Sequence, residues 1–314
     1  MLTARRFRVL AGITALSGYL QITLGGLVRV SGSGLGCPDW PLCHGKPYPP
    51  ANFHSIVEYS HRANGALVGL LVILTVVAGF WVYRGRRTPV TWLTVATLVT
   101  VVGEGLLGWQ VVASLLAPVL VTVHLAIALV ILALMVAIFL LAAPPPAVAF
   151  PDRPFGRLAL IAAGLTYLML LTGSSVVATN ADLVCKSWPL CGNGLVPDFS
   201  GVALFDMLHR LTVGVVSLLL LHLLTTALRR YRKVPGVRLL AGGTLVLLVA
   251  QVALGALVAV TSEQALLQGG HVVLASAIWA GVVALAVIAL RPAAGAATEI
   301  GDDSRVTALE SRPA

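Results

Sequence analysis

Four of the seven histidines in the 314-residue chain fall into register. His61 and His209 are 148 residues apart, and His124 and His271 are 147 apart. The 148-residue offset also relates Cys37 to Cys185 and Cys43 to Cys191, within the shared text Cys-x-x-Trp-Pro-Leu-Cys. A fixed offset carried by unlike residue types is the mark of an internal duplication. Paired imidazoles are metal ligands. Two that face each other across a helix bundle suit an octahedral metal with two axial positions, and haem iron fits that demand. Zinc would need further ligands, and its usual cysteine spacing is absent. A di-iron carboxylate site would need about four carboxylates, whereas only Glu58 and Asp206 stand at this level. The expectation is one haem-sized pocket per half: His61 with His124, and His209 with His271.

Glu58 and Asp206 each precede a paired histidine by three residues, which puts acid and imidazole on one helical face. With helices starting near 57 and 204, both acids fall in a first turn, where the helix dipole favours a carboxylate. Glu58 is one methylene longer and is the better candidate for proton transfer. Arg62 and Arg210 follow the histidines directly, point elsewhere on the helix, and are candidate contacts for haem propionates or lipid phosphates. Glu104 aligns with Gln251, which points to a hydrogen-bonding role; catalysis by Glu104 is the lesser reading. His44 and His54 read as solvated loop residues, and His222 as a helix–helix hydrogen-bonding group. Four cysteines permit three pairings. Proximity and the repeat favour Cys37–Cys43 and Cys185–Cys191, either as loop staples or with one bridge exchanging with a partner thiol.

The elements that position these residues are membrane spans. The chain is 58% hydrophobic and 11% charged, against about 25% charged in a soluble domain. Eight apolar runs, near 8–29, 57–83, 90–112, 119–142, 157–178, 204–228, 238–260 and 268–290, can each cross a hydrocarbon core about 30 Å thick. The net charge of +9 is not a nucleic-acid signature, because 16 of the 21 Lys/Arg lie in the termini and alternate loops. By the positive-inside rule both termini are cytoplasmic and the cysteine loops extracellular. The N-terminal run continues to Val28 without a cleavage site, so it reads as a retained first helix. Four spans per half make the copies parallel repeats. The expected fold is thus an all-α integral membrane protein of eight transmembrane helices in two parallel-repeat four-helix bundles. Residues 1–142 and 157–291 are the halves, joined by a Pro-rich cytoplasmic linker at 143–156, and 292–314 is a disordered tail.

The run Gly-Gly-Leu-Val-Arg-Val-Ser-Gly-Ser-Gly-Leu-Gly-Cys, the text Glu-Tyr-Ser-His-Arg, the four matched histidines and the twin Cys-x5-Cys loops resemble haem A synthase, in its bacterial cysteine-containing branch. The resemblance covers about residues 8–290. It implies an oxidoreductase of the bacterial cell membrane that oxidises the C8 methyl of haem O to a formyl group, giving haem A for oxidases of the cytochrome c oxidase type. It further implies substrate haem on His61 and His124, a haem B cofactor on His209 and His271, catalysis by Glu58, and a functional cysteine pair at Cys37 and Cys43. An electron donor or acceptor that the sequence does not identify, membrane lipids and a haem O synthase follow as partners. Two rivals are a di-haem b-type electron-transfer cytochrome, which the Glu58/Asp206 asymmetry disfavours, and a transporter, which would need helices broken at the midplane.

Overall fold

The computed structural model describes residues 2–84, 88–144, 153–191, 197–261 and 264–291. Their regular structure is helical: α1 (Ala4–Val30), α2 (Phe53–Val82), α3 (Pro89–Ala113), α4 (Pro118–Leu141), α5 (Arg153–Ala178), α6 (Ala203–Arg230), α7 (Val237–Thr261) and α8 (Ala265–Leu290), with a short 3-10 turn at Ala181–Leu183 before α6. All eight α-helices are long and apolar enough to cross a membrane. The expected tail at 292–314 and most of the expected linker, 145–152, lie outside the described residues.

Local sequence sets the helix starts. Pro89 and Pro118 open α3 and α4, where a missing N–H costs nothing and the fixed φ suits a first turn. Asn52 caps α2 by accepting the Ser55 N–H at 2.9 Å. That cap starts α2 one turn before the apolar run, at Phe53. Glu58 therefore sits in the second turn, beyond the dipole position expected from sequence, whereas Asp206 does lie in the first turn of α6.

Within the first half α1 packs on α2 and α4, and α3 packs on the same two, so α2 and α4 stand at opposite corners of a ring. The second half repeats this, with α6 and α8 at opposite corners. The halves meet through α1 on α8, α4 on α5, and α4 on α8. Exchanging the halves maps this contact set onto itself, as a twofold relation requires. Two hydrogen bonds obey the same exchange: Tyr19 donates to the Val273 carbonyl and Tyr167 to the Ala126 carbonyl, each at 3.2 Å.

The two interiors differ. The larger core fills the second half and the seam, around Leu220, Leu223, Val282 and Leu285, with the Trp279 indole donating to the Leu129 carbonyl at 2.9 Å. The first half instead buries Thr14, Ser17, Thr75, Thr94 and Thr97. Thr14, Thr75, Thr94 and Thr97 line a cavity of about 10 Å³. Their repeat counterparts are Ala162, Leu223, Ala241 and Thr244, and that of Ser17 is Leu165.

Candidate functional site

Each paired histidine stands two turns into an even-numbered helix. His124, His209 and His271 lie six residues after their helix starts, and His61 eight after Phe53. At 1.5 Å per residue, that is about 9–12 Å along each helix from the cysteine-loop end. The two imidazoles of each half are carried on helices at opposite corners of its ring.

Each ring lies against a glycine of an odd-numbered neighbour. A Cβ at Gly25 would come within 3.0 Å of His61 Cε1, at Gly108 within 3.2 Å of His124, and at Gly173 and Gly255 within 2.9 Å of His209 and His271. Only a residue without a side chain lets an imidazole pack so close to the backbone next door. These glycines carry the 148 and 147 offsets themselves. The repeat would have revealed them in the sequence, but the histidines alone did not.

Odd-numbered helices also supply polar partners to the ring nitrogens. His61 Nε2 is 3.3 Å from Gln21 Nε2, and His271 Nε2 is 3.1 Å from Gln251 Nε2. His209 Nδ1 is 3.0 Å from Thr172 Oγ1. Glu104 Oε1 approaches His124 Nδ1 to 3.1 Å without hydrogen-bond alignment. The Nδ1 atoms of His61 and His271 are buried and carry no hydrogen bond. Half-buried imidazoles, two per half and each with one neighbouring group to orient it, fit as ligands of a porphyrin iron, which brings four ligands of its own. No cluster of three or more His, Cys, Asp or Glu suited to a bare metal ion occurs among the described residues.

The acids belong to a second layer that holds the cysteine loops down. Glu58 is 3% exposed, accepts the Cys37 N–H at 2.8 Å and pairs with Arg62. Arg62 also donates to the carbonyls of Cys37 (2.5 Å), Asp39 (2.6 Å) and Leu42 (3.1 Å). In the second copy Asp206 Oδ2 faces Arg210 at 2.6 Å, the Cys185 N–H goes to the Ala181 carbonyl at 3.3 Å instead of to the acid, and Arg210 reaches the carbonyls of Cys185, Ser187 and Pro189. Both arginines therefore point back onto the acid one turn earlier, not elsewhere on the helix. The cause is the i,i+4 spacing of acid and base. Their guanidinium groups are engaged by carboxylate and loop carbonyls.

The cysteines pair as Cys37–Cys43 and Cys185–Cys191, and all four are buried. The adjoining Trp40 and Trp188 are exposed, and each precedes a cis-proline. His44 and His54 are exposed, as expected, and each also makes a loop contact: His44 Nε2 meets the Gly36 carbonyl at 2.9 Å and His54 Nδ1 meets Ser33 Oγ at 3.0 Å. Asp39 closes the loop by accepting the N–H groups of His44 and Gly45 at 2.6 and 2.7 Å, and the Gly45 bond holds its carboxyl below the usual range. His222, expected between helices, is exposed on α6 because Leu220, Leu223 and Leu224 take the inward face.

Comparison with known proteins converges on one group. A family model described as COX15-CtaA, cytochrome oxidase assembly protein, matches residues 8–56 and 51–283. A heme A synthase of Symbiobacterium thermophilum is 32% identical over 83% of this chain and 88% of its own length. One from Shouchella clausii is 31% identical over 82% and 88%. One from Geobacillus kaustophilus is 29% identical over 91% and 92%.

Proposed function

The chain belongs to the COX15-CtaA family of cytochrome oxidase assembly proteins, and from that premise we propose that it is a haem A synthase. It is a multi-pass membrane oxidoreductase that converts a methyl group of haem O to a formyl group and releases haem A. The carrying observation is the doubled constellation: two half-buried imidazoles in each half, every ring seated on a glycine of the next helix.

In this reading residues 1–142 form the substrate half, where His61 and His124 hold haem O. Residues 157–291 form the cofactor half, where His209 and His271 hold haem B. Haem B, when bound, supplies an iron that takes up and passes on single electrons. The remaining work falls to the chain's own side chains. Glu58 lies one turn from His61 on the same face and is the base for a proton leaving the methyl carbon. The Cys37 N–H and Arg62 fix its carboxylate, so it meets the substrate in one orientation. Asp206 lacks the cysteine N–H that Glu58 has, and the extra methylene, in keeping with a half that does no chemistry. The disulfides hold each loop over its helix ends. The excess of Lys/Arg at one end puts the termini in the cytoplasm of a bacterial cell and the cysteine loops outside its membrane. Haem O arrives from a haem O synthase, the formyl oxygen comes from dioxygen or water, and a redox partner serves as electron donor or acceptor accordingly.

The test is co-expression with a source of haem O, followed by mass analysis of extracted haems. A formyl product in the wild type, lost in Glu58→Gln, is expected. Two permanently bound haems and no oxidised porphyrin would leave the b-type cytochrome reading standing instead.

A further inference from the structure

One chain of hydrogen bonds in the first half has no counterpart in the second. Ser17 Oγ donates to Asn64 Oδ1 at 3.4 Å. Asn64 Nδ2 donates to Gln21 Oε1 at 2.8 Å and to the Ser17 carbonyl at 3.2 Å. The Gln21 oxygen is thereby committed to Asn64, and its amide N–H faces His61 Nε2 at 3.3 Å. Donor and acceptor inventory gives this chain a single direction. Gln21 can only donate to His61, so Nε2 must present its lone pair and the ring proton sits on Nδ1. Room for the amide comes from Gly65, where a Cβ would lie 3.1 Å from Gln21 Nε2.

The repeat supplies an internal comparison. The counterparts of Gln21, Asn64, Ser17 and Gly65 are Met169, Thr212, Leu165 and Val213. His209 is oriented from its other nitrogen: the Thr172 hydroxyl donates to the Met169 carbonyl at 2.7 Å and stands 3.0 Å from His209 Nδ1. That bond supports a ring whose Nε2 is left for a metal. Gln251 does approach His271, but its own oxygen is buried and unpartnered, so nothing locks its amide.

We propose that Gln21, locked by Asn64 and Ser17, is a competing cap on His61 that makes haem ligation in the first half reversible. An imidazole nitrogen has one lone pair, so a hydrogen bond from Gln21 and a bond to iron exclude each other. Haem in the first half exchanges against a waiting hydrogen bond, while haem in the second half meets no such competitor at His209. This asymmetry rests on the first half being the substrate half, where one porphyrin must enter and its product leave. Gln21 and Asn64 are thus positioning residues acting through His61.

The experiment uses the full chain in nanodiscs, loaded with haem O, with release followed spectroscopically into an excess of haem-scavenging apoprotein. The wild type should release in two phases, one fast and one retained. Gln21→Met, which installs the second half's residue, should slow the fast phase about ten-fold, the scale of one net hydrogen bond. Asn64→Thr, which only unlocks the amide, should slow it less. The retained phase should not move in either variant. Unchanged or faster release in Gln21→Met overturns the proposal. So does failure of both variants to take up haem O, because removing a competitor cannot weaken ligation. The mass assay is independent: haem A formed alongside unaltered release in Gln21→Met defeats the cap alone. Slowed release without haem A formation defeats the reaction assignment alone.

Discussion

At the scale of single residues, the glycines under the histidines carry the most direct predictions. Gly173→Ala and Gly255→Ala would drive a methyl to 2.9 Å from the ring carbon of His209 and His271, closer than van der Waals contact allows. The ring or its helix must shift, at a cost of about 1–3 kcal/mol typical of overpacking. Haem content of the purified variants should fall, whereas Gly103→Ala, with nothing within 4 Å of the added carbon, should leave it unchanged. Asp39 offers a test by pH. Its carboxyl is held below the ordinary value of 3.8 by the Gly45 N–H, so the charged form is favoured in the folded loop. That stabilisation is present above the ordinary value and is lost as pH falls through the lowered one. Proteolysis of the loop should therefore rise only at acid pH, and Asp39→Asn should abolish the dependence.

At the scale of elements, the start of α2 decides where Glu58 stands. Asn52 accepts the Ser55 N–H, and Gly36 lies so close to His54 and Ser55 that a Cβ there would overlap their backbone at 2.4–2.8 Å. Helix start and cysteine loop are thus one packed unit. Asn52→Ala should cost about 1 kcal/mol, the usual value of a lost N-cap. It should also loosen the Cys37 N–H bond to Glu58. A lower thermal midpoint with a proportionally larger fall in haem A formation is expected; an unchanged midpoint would separate the cap from the loop. The sequence placed the eight helices to within a turn, because long apolar runs leave little freedom in length. It missed the first turn of α2 because that turn is polar and rests on a cap and a loop contact, which hydropathy does not register.

For the whole molecule, the pseudo-twofold seam is the testable feature. Tyr19 and Tyr167 make equivalent bonds across it, each worth about 0.5–1.5 kcal/mol net. Tyr19→Phe and Tyr167→Phe should therefore lower stability by similar amounts, read as thermal midpoints in the same lipid. The interiors should answer differently to one hydroxyl-to-methyl change. Thr75→Val removes a hydroxyl that meets Thr14 at 3.0 Å beside the first-half cavity, whereas the position it matches in the second half is already Leu223.

The sequence by itself determined the repeat, the eight spans, the matched histidine offsets and the cysteine partners, because each is a matter of spacing or hydropathy along one chain. Tertiary structure alone decided what surrounds those residues. It seated each imidazole on a neighbouring glycine and ran Ser17, Asn64 and Gln21 into line with His61. Such contacts join residues 16 to 47 positions apart on different helices, whose rotation about their axes is set by packing. A twofold offset read along the chain makes the halves look alike. The packing of polar groups inside the first half, against mostly leucine and alanine at the matched positions of the second, adds to the Glu58/Asp206 difference in making them unequal.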